Sequence, residues 1–317
     1  MQPIVLLLPG QGSQKVGMGR DLADAFPVAR DVFAEVDAAL EAPLSRLMWD
    51  GPGDDLTLTS NAQPALLAHS AAVWAVLRDA LGAHVRAAAG HSLGEFSAYH
   101  VAGSLALRDA VRLVRRRGAL MLDAGAKHPG TMAAILGTLT ESIDSICARA
   151  SAEAGLVVPA NYNAAEQVVI SGERSGVDLA MELCKAAGAK RAVPLSVSGA
   201  FHSPLMATAA DGLAESLATV AFAAPQVPVY ACVDGKPVTE VAHARRALLA
   251  QLTSSVQWTT LVANLAAAYP DALFVEVGTG SVLTGLVKRI APQVATATCG
   301  TAAEVDALLA RAASPVG

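Results

Sequence analysis

Short apolar runs alternate along the chain with longer amphipathic stretches, the pattern of strands and helices that take turns around a mostly parallel sheet. Ile4 to Leu8 is an unbroken apolar run and reads as a buried strand, followed by the loop Pro9-Gly10-Gln11-Gly12-Ser13-Gln14. Over residues 63–81, Leu66, Val73, Trp74, Leu77 and Leu81 fall on one helical stripe. Val85 to Ala89 is a second short strand that runs directly into Gly90. Helices are expected from just after Ser92 to about Ala102, and again over 107–122.

The middle of the chain has a different rhythm. Strands at 132–136, 156–160, 167–171 and 191–195, with helices at 141–154 and 175–187, give the order β-α-β-β-α-β. That is the split, ferredoxin-like pattern of a small unit inserted into a larger one. The division expected is a large subdomain of residues 1–128 and 199–317 and a small subdomain of residues 129–198. Ser203-Pro204, a capping residue followed by proline at the first helical position, marks the return to α/β alternation.

Composition narrows the class. With 317 residues and 53% hydrophobic content the chain can bury a large core, which argues against disorder. No apolar run reaches the roughly 18 residues of a membrane span. The first strand is too short for a signal peptide and lacks its basic flank. Charges of 23 basic and 28 acidic residues, net −5 with no basic block, argue against nucleic acid. Cys147, Cys184, Cys232 and Cys299 form no paired motif, and the histidines show no metal-ligand spacing. Reduced thiols, a cytoplasmic location and no metal are expected.

Gly90-His91-Ser92-Leu93-Gly94 fills every place of G-x-S-x-G between a strand and a helix. In that context the motif is a nucleophile elbow: small neighbours permit a tight turn that exposes the serine hydroxyl above the sheet. The N–H of Leu93, at the start of the next helix, is a natural oxyanion donor aided by the helix dipole. A glycine-flanked turn serine arising by chance is the rival reading, and the flanking strand and helix weigh against it.

The serine needs a base. Downstream histidines are His100, His128, His202 and His243, and His202 sits in the small-residue loop Ser198-Gly199-Ala200-Phe201-His202-Ser203-Pro204. A lone loop histidine is more often structural, and it is pairing with Ser92 that favours His202. No acidic residue stands out as a third member. The loop after the first strand is not a phosphate loop, because Lys15 stands where a dinucleotide motif needs glycine. Gln11 there could aim a donor at a ligand, and a plain turn is an equal alternative.

Arg117 stands on the wrong face of its helix. Ala110, Leu113, Val114, Leu120 and Met121 lie within about 60° of it, whereas Arg112, Arg115 and Arg116 lie about 100° or more away. A guanidinium on an apolar stripe is costly unless paired. Either it is internally satisfied, or it is a fork awaiting a substrate carboxylate.

PGQGSQ (9–14), GHSLGE (90–95), the helix of 111–118, GAFH (199–202), VQW (256–258) and VLTGL (282–286) occur in order across essentially the whole chain. Together they resemble the malonyl-CoA:acyl carrier protein transacylases of fatty-acid and polyketide synthesis. The resemblance implies an α/β fold with a hydrolase-like core of mostly parallel sheet and an inserted ferredoxin-like subdomain. It implies Ser92 as acylated nucleophile, His202 as base, Gln11 and Leu93 as oxyanion hole, and Arg117 as ligand of the malonyl carboxylate. It makes Phe201, His91, Met121 and Asn161 further substrate contacts, and Gln257 the residue whose backbone carbonyl orients the histidine. Malonyl-CoA is then a substrate, the partner is an acyl carrier protein bearing phosphopantetheine, and the chain holds no cofactor of its own. Gly278-Thr279-Gly280 and Ser254-Ser255 depart from the usual family residues, away from the implied catalytic positions. A hydrolase on the same elbow and a non-catalytic carrier-docking module are the alternative classes.

Overall fold

Every residue of the first strand is buried because it has a strand on each edge and a helical layer on each face. The computed structural model describes residues 2–313. Its strands in chain order are β1 Ile4–Leu8, β2 Val85–Gly90, β3 Thr131–Leu136, β4 Val157–Ala164, β5 Gln167–Gly172, β6 Arg191–Pro194, β7 Val229–Tyr230, β8 Pro237–Val238, β9 Leu273–Val277 and β10 Ala295–Cys299. The main sheet has the order β10-β9-β1-β2-β7-β8, parallel throughout except for the short β7–β8 pair. Alternate residues of β1 enter different cores: Ile4, Leu6 and Leu8 pack on one side, Val5 and Leu7 on the other. An unbroken apolar run is what a strand buried on both faces requires.

The second sheet has the order β4-β5-β3-β6 and is antiparallel throughout. Its helices Ile143–Ala154 and Arg174–Ala186 close a separate core around Ala133, Ile135, Ile146, Ile170 and Val177. Order and connectivity are those of the ferredoxin-like pattern.

Element limits differ from the periodicity at two informative places. The helix expected from residue 63 begins at Thr59, so Pro64 lies inside it and not in its first turn. β4 continues past Ala160 through Asn161-Tyr162-Asn163, because these polar residues keep pairing on both sides. They bond to β5, and Tyr162 N–H donates to the Val256 carbonyl at 2.9 Å while Val256 N–H donates to the Ala160 carbonyl at 2.8 Å. That seam ties the small sheet to the main body beside the elbow.

Candidate active site

The chain turns from β2 into the helix Gly94–Val101 through Ser92, whose φ of 52° is in the left-handed region. Both flanking glycines are sterically required. A Cβ on Gly90 would stand 1.9 Å from the Gly94 carbonyl carbon, and one on Gly94 would stand 2.1 Å from the Leu8 carbonyl oxygen. The motif therefore reflects close backbone approach, and the strained serine is the product of that turn.

The Ser92 hydroxyl donates to His202 Nε2 at 2.8 Å, and His202 Nδ1–H donates to the Gln251 backbone carbonyl at 2.6 Å. This fixes the tautomer that leaves Nε2 free to take the serine proton. Burial, and then the charge of Arg117, lowers the His202 pKa from 6.5 to about 3, so the imidazole is neutral and ready to act as a base. Of the other candidates, His100 Nδ1–H donates to the Leu105 carbonyl at 3.0 Å and takes no part.

The orienting carbonyl is that of Gln251 and not of Gln257, which corrects the expectation from the family motif. Gln257 precedes the helix Trp258–Ala268, and its carbonyl accepts the Leu261 N–H at 2.9 Å. A carbonyl at a helix start is consumed by the helix. Gln251 follows the last residue of the helix Val241–Ala250, where carbonyls have no partner within the helix and can accept from a side chain.

Arg117, 1% exposed, lies in the helix Leu107–Lys127. Its Nη1 donates to Gln63 Oε1 at 2.8 Å, and its Nη2 donates to Gln251 Oε1 at 2.8 Å and to Ser92 Oγ at 3.1 Å. Burial lowers its pKa to about 10, which leaves it charged at neutral pH. Only its two terminal nitrogens are bonded, to neutral groups; its buried Nε has no hydrogen-bond partner, and among the described residues no carboxylate forms a salt bridge with it. It is a desolvated cation beside a nucleophile, where a substrate carboxylate would supply the missing charge.

A cavity of about 340 Å³ opens onto these groups. Gln11, His91, Leu93, Met121, Asn161 and Phe201 all line it together with Ser92, Arg117 and His202; Gln257 does not. Gln11 Nε2 donates to Thr59 Oγ1 at 3.3 Å. His91 Nε2–H donates to Asn163 Oδ1 at 2.8 Å, a bond from the elbow to the small sheet. Met132, Asn161 and Val169 bring the small sheet to the cavity wall, so the site lies between the two sheets.

Sequence reasoning missed Gln63, Asn163, Glu95 and Gln251. Glu95 lies within the quoted GHSLGE, 0% exposed, where its Oε2 accepts from Gln251 Nε2 at 2.9 Å and from Cys232 N–H at 3.1 Å. A buried acid one turn past the elbow is a signal in the residues themselves. Gln251 had none.

With the geometry in hand, comparison with known proteins adds an independent line. A family model described as an acyl transferase domain matches residues 5–307. The chain is 47% identical over 290 residues to the malonyl CoA-acyl carrier protein transacylase of Salmonella typhimurium, covering 92% of this chain and 93% of that protein. It is 45% identical to the malonyl CoA-acyl carrier protein transacylase of Bacillus subtilis, over 92% of this chain and 91% of that one. A solved complex of a type II PKS acyl-carrier protein with its malonyl-transacylase superposes with a TM-score of 0.93 at 42% identity, covering 98% of this chain and 100% of that chain.

Proposed function

This chain belongs to the acyl transferase domain family, and from that premise we propose that it moves a malonyl group from malonyl-CoA to the phosphopantetheine thiol of an acyl carrier protein through an ester on Ser92. One observation carries the choice of acyl group: Arg117, buried and charged, donates to the Ser92 hydroxyl at 3.1 Å. An acyl group delivered to Ser92 therefore meets a cation with which, among the described residues, no carboxylate forms an ion pair.

The steps follow from the hydrogen bonds. His202 Nε2 takes the Ser92 proton as Oγ attacks the thioester carbon, and the Gln251 carbonyl stabilises the imidazolium that forms. The carbonyl oxygen becomes an oxyanion, assigned to the Leu93 N–H at the helix start and to Gln11. Collapse expels the coenzyme A thiolate, which takes the proton back from His202. The carrier thiol then repeats the sequence in reverse on the malonyl-serine ester. Charge is handled by N–H donors, an imidazole and a guanidinium, and the reading assigns no cofactor to the chain.

The small subdomain is placed at residues 129–198 and the large one at 1–128 and 199–317, a division supported by the separate antiparallel sheet. No helix among the described residues is long and apolar enough to cross a membrane. The four cysteines are free and buried, which supports a cytoplasmic setting.

Radiolabelled malonyl-CoA, supplied with and without carrier protein, tests the reading. Label should appear on Ser92 alone without carrier and move to the carrier when it is added. Label released mainly as free malonate would identify a hydrolase, and no label on protein at all would leave only a docking role.

A further inference from the structure

Gln251 uses its polar groups in three directions at once. Its backbone carbonyl accepts His202 Nδ1–H, its side-chain Oε1 accepts Arg117 Nη2–H, and its Nε2 donates to Glu95 Oε2. The residue is 0% exposed, so none of these bonds can be exchanged for water. A carboxamide has one accepting end and one donating end, and either end fits the same space. What decides which end faces Arg117 is the group at the opposite end.

That group is Glu95. Its Oε2, which already accepts the Cys232 N–H, accepts here as well, so it draws the Gln251 amide nitrogen toward itself and turns the Gln251 Oε1 to the guanidinium. A reversed amide would set two donors against Arg117 and leave the carboxylate facing an oxygen. Glu95 is itself held in place by the Cys232 N–H at 3.1 Å, and its other oxygen, Oε1, has no hydrogen-bond partner among the described residues. A fully buried, half-satisfied carboxylate is expensive. Desolvation raises its pKa from 4.5 to about 7, opposed by the Cys232 and Gln251 bonds and by the Arg117 charge. Such a group is a poor choice for filling space; what it does here is orient the side-chain amide of Gln251, a residue that holds the cation through that amide and the base through its backbone carbonyl.

We propose that Glu95 is a positioning residue, which acts through the Gln251 side chain to set the Arg117 guanidinium and the His202 imidazole for the same acyl group. The inference rests on the malonyl-transfer reading for its kinetic consequences, although the alignment of His202 itself does not depend on which acyl group is used.

Two variants of nearly equal shape separate positioning from packing. Glu95→Met keeps the volume and cannot accept from Gln251; Glu95→Gln can still accept through its carbonyl. In the full-length protein, Glu95→Met should slow malonylation of Ser92 by about 10²-fold, toward the lower end of what loss of a base costs. Acetylation from acetyl-CoA should slow less, because it does not use Arg117. Glu95→Gln should recover most of the lost rate. Combined with Gln251→Met, the Glu95→Met loss should not multiply, since both break the same link. The downfield proton resonance of His202 Nδ1–H gives a readout without substrate: it should shift or broaden in Glu95→Met and be retained in Glu95→Gln.

Equal rates and an unchanged proton resonance in folded Glu95→Met would overturn the proposal, as would losses that multiply in the double variant. If Glu95→Met does not fold, Gln251→Met removes the link from its other end and must show the same malonyl-to-acetyl shift; an unchanged ratio there is equally fatal. Wild-type protein that takes no malonyl at all would instead overturn the transfer reading, and the resonance would still judge Glu95.

Discussion

Arg117 Nη2 donates both to the Ser92 hydroxyl, at 3.1 Å, and to the Gln251 side-chain carbonyl, at 2.8 Å. The buried cation is therefore bonded at once to the nucleophile and to the residue that holds the nucleophile's base. Replacing it should act on substrate choice more than on the chemistry common to all acyl groups. Arg117→Ala is expected to lower kcat/KM for malonyl-CoA by at least about 10²-fold, the scale of a charged hydrogen-bonded pair lost from a buried site. The rate with acetyl-CoA should change much less. Comparison of the two thioesters measures it, and an unchanged malonyl-to-acetyl ratio would make Arg117 a structural residue.

Ser92 and His202 make a sharper pair of predictions. Ser92→Ala should carry no labelled malonyl ester, since among the described residues the hydroxyl bonded to His202 Nε2 is that of Ser92. His202→Ala should still fold and should slow both half-reactions by ~10²–10⁴-fold. Stopped-flow acylation and quantitation of the ester by mass check both. A normal acylation rate in His202→Ala would break the link drawn from the 2.8 Å bond.

What could be seen in the sequence was whatever one short segment must satisfy by itself. Gly90, Ser92 and Gly94 were visible because a tight turn admits few residues, and Arg117 because a cation broke an apolar stripe. The ferredoxin-like order of β3 to β6 was visible because each element has its own period. Gln63, Glu95 and Gln251 were not, since their roles exist only where three helices meet around a guanidinium. Gln251 was hidden further by the nearby VQW motif, which drew the orienting role to Gln257. Which carbonyl is free is settled by where a helix ends, and that boundary is among the features least fixed by local pattern.

The close approach at the elbow predicts a cost in stability as well as in rate. In Gly90→Ala the new methyl would lie 1.9 Å from the Gly94 carbonyl carbon and oxygen, with only backbone there to give way. Separation of β2 from the helix start is the only relief. A loss of about 2–4 kcal/mol is expected, in the upper range for overpacking combined with backbone strain. Denaturant unfolding measures it, and a change under about 0.5 kcal/mol, ordinary for a surface site, would contradict the packing described.

Acid should destabilise the fold in a defined window. His202 and His69 have folded pKa values of about 3 and about 4, both lowered from 6.5 first by burial. Between those values and 6.5 the unfolded chain binds the extra proton. Their stability is fully present above 6.5 and is lost as pH falls, by up to about 1.4 kcal/mol per pH unit for each. Glu95, raised from 4.5 to about 7 chiefly by burial, has the opposite sign and loses stability as pH rises through that range. It offsets one histidine, and Glu276, also raised by burial, acts in the same direction. His91 and His100, also lowered by burial, add to the other. The net expectation is a lower urea midpoint at pH 4.5 than at pH 6.5. A higher midpoint at pH 4.5 would show that the carboxylate dominates.

Under the proposed malonyl transfer, Phe201 is expected to bound the acyl group by shape and Arg117 by charge. It is 6% exposed, precedes the base directly and lines the same cavity as Ser92 and Met121. A ring there is expected to fill the space that a substituent on the acyl α-carbon would need, and a packed wall yields little because overpacking costs about 1–3 kcal/mol. Malonyl should therefore be preferred over methylmalonyl by roughly 10- to 100-fold, the discrimination that one methyl group can provide in an apolar pocket. Phe201→Ser removes the ring and leaves Arg117, Ser92 and His202 with their own bonds, none of which involves Phe201. Transfer of malonyl should stay within several-fold of wild type while methylmalonyl gains enough to narrow the ratio by about tenfold. Measuring kcat/KM for both thioesters decides it. If the ratio holds and malonyl falls instead, Phe201 supports the His202 loop and does not shape the acyl site.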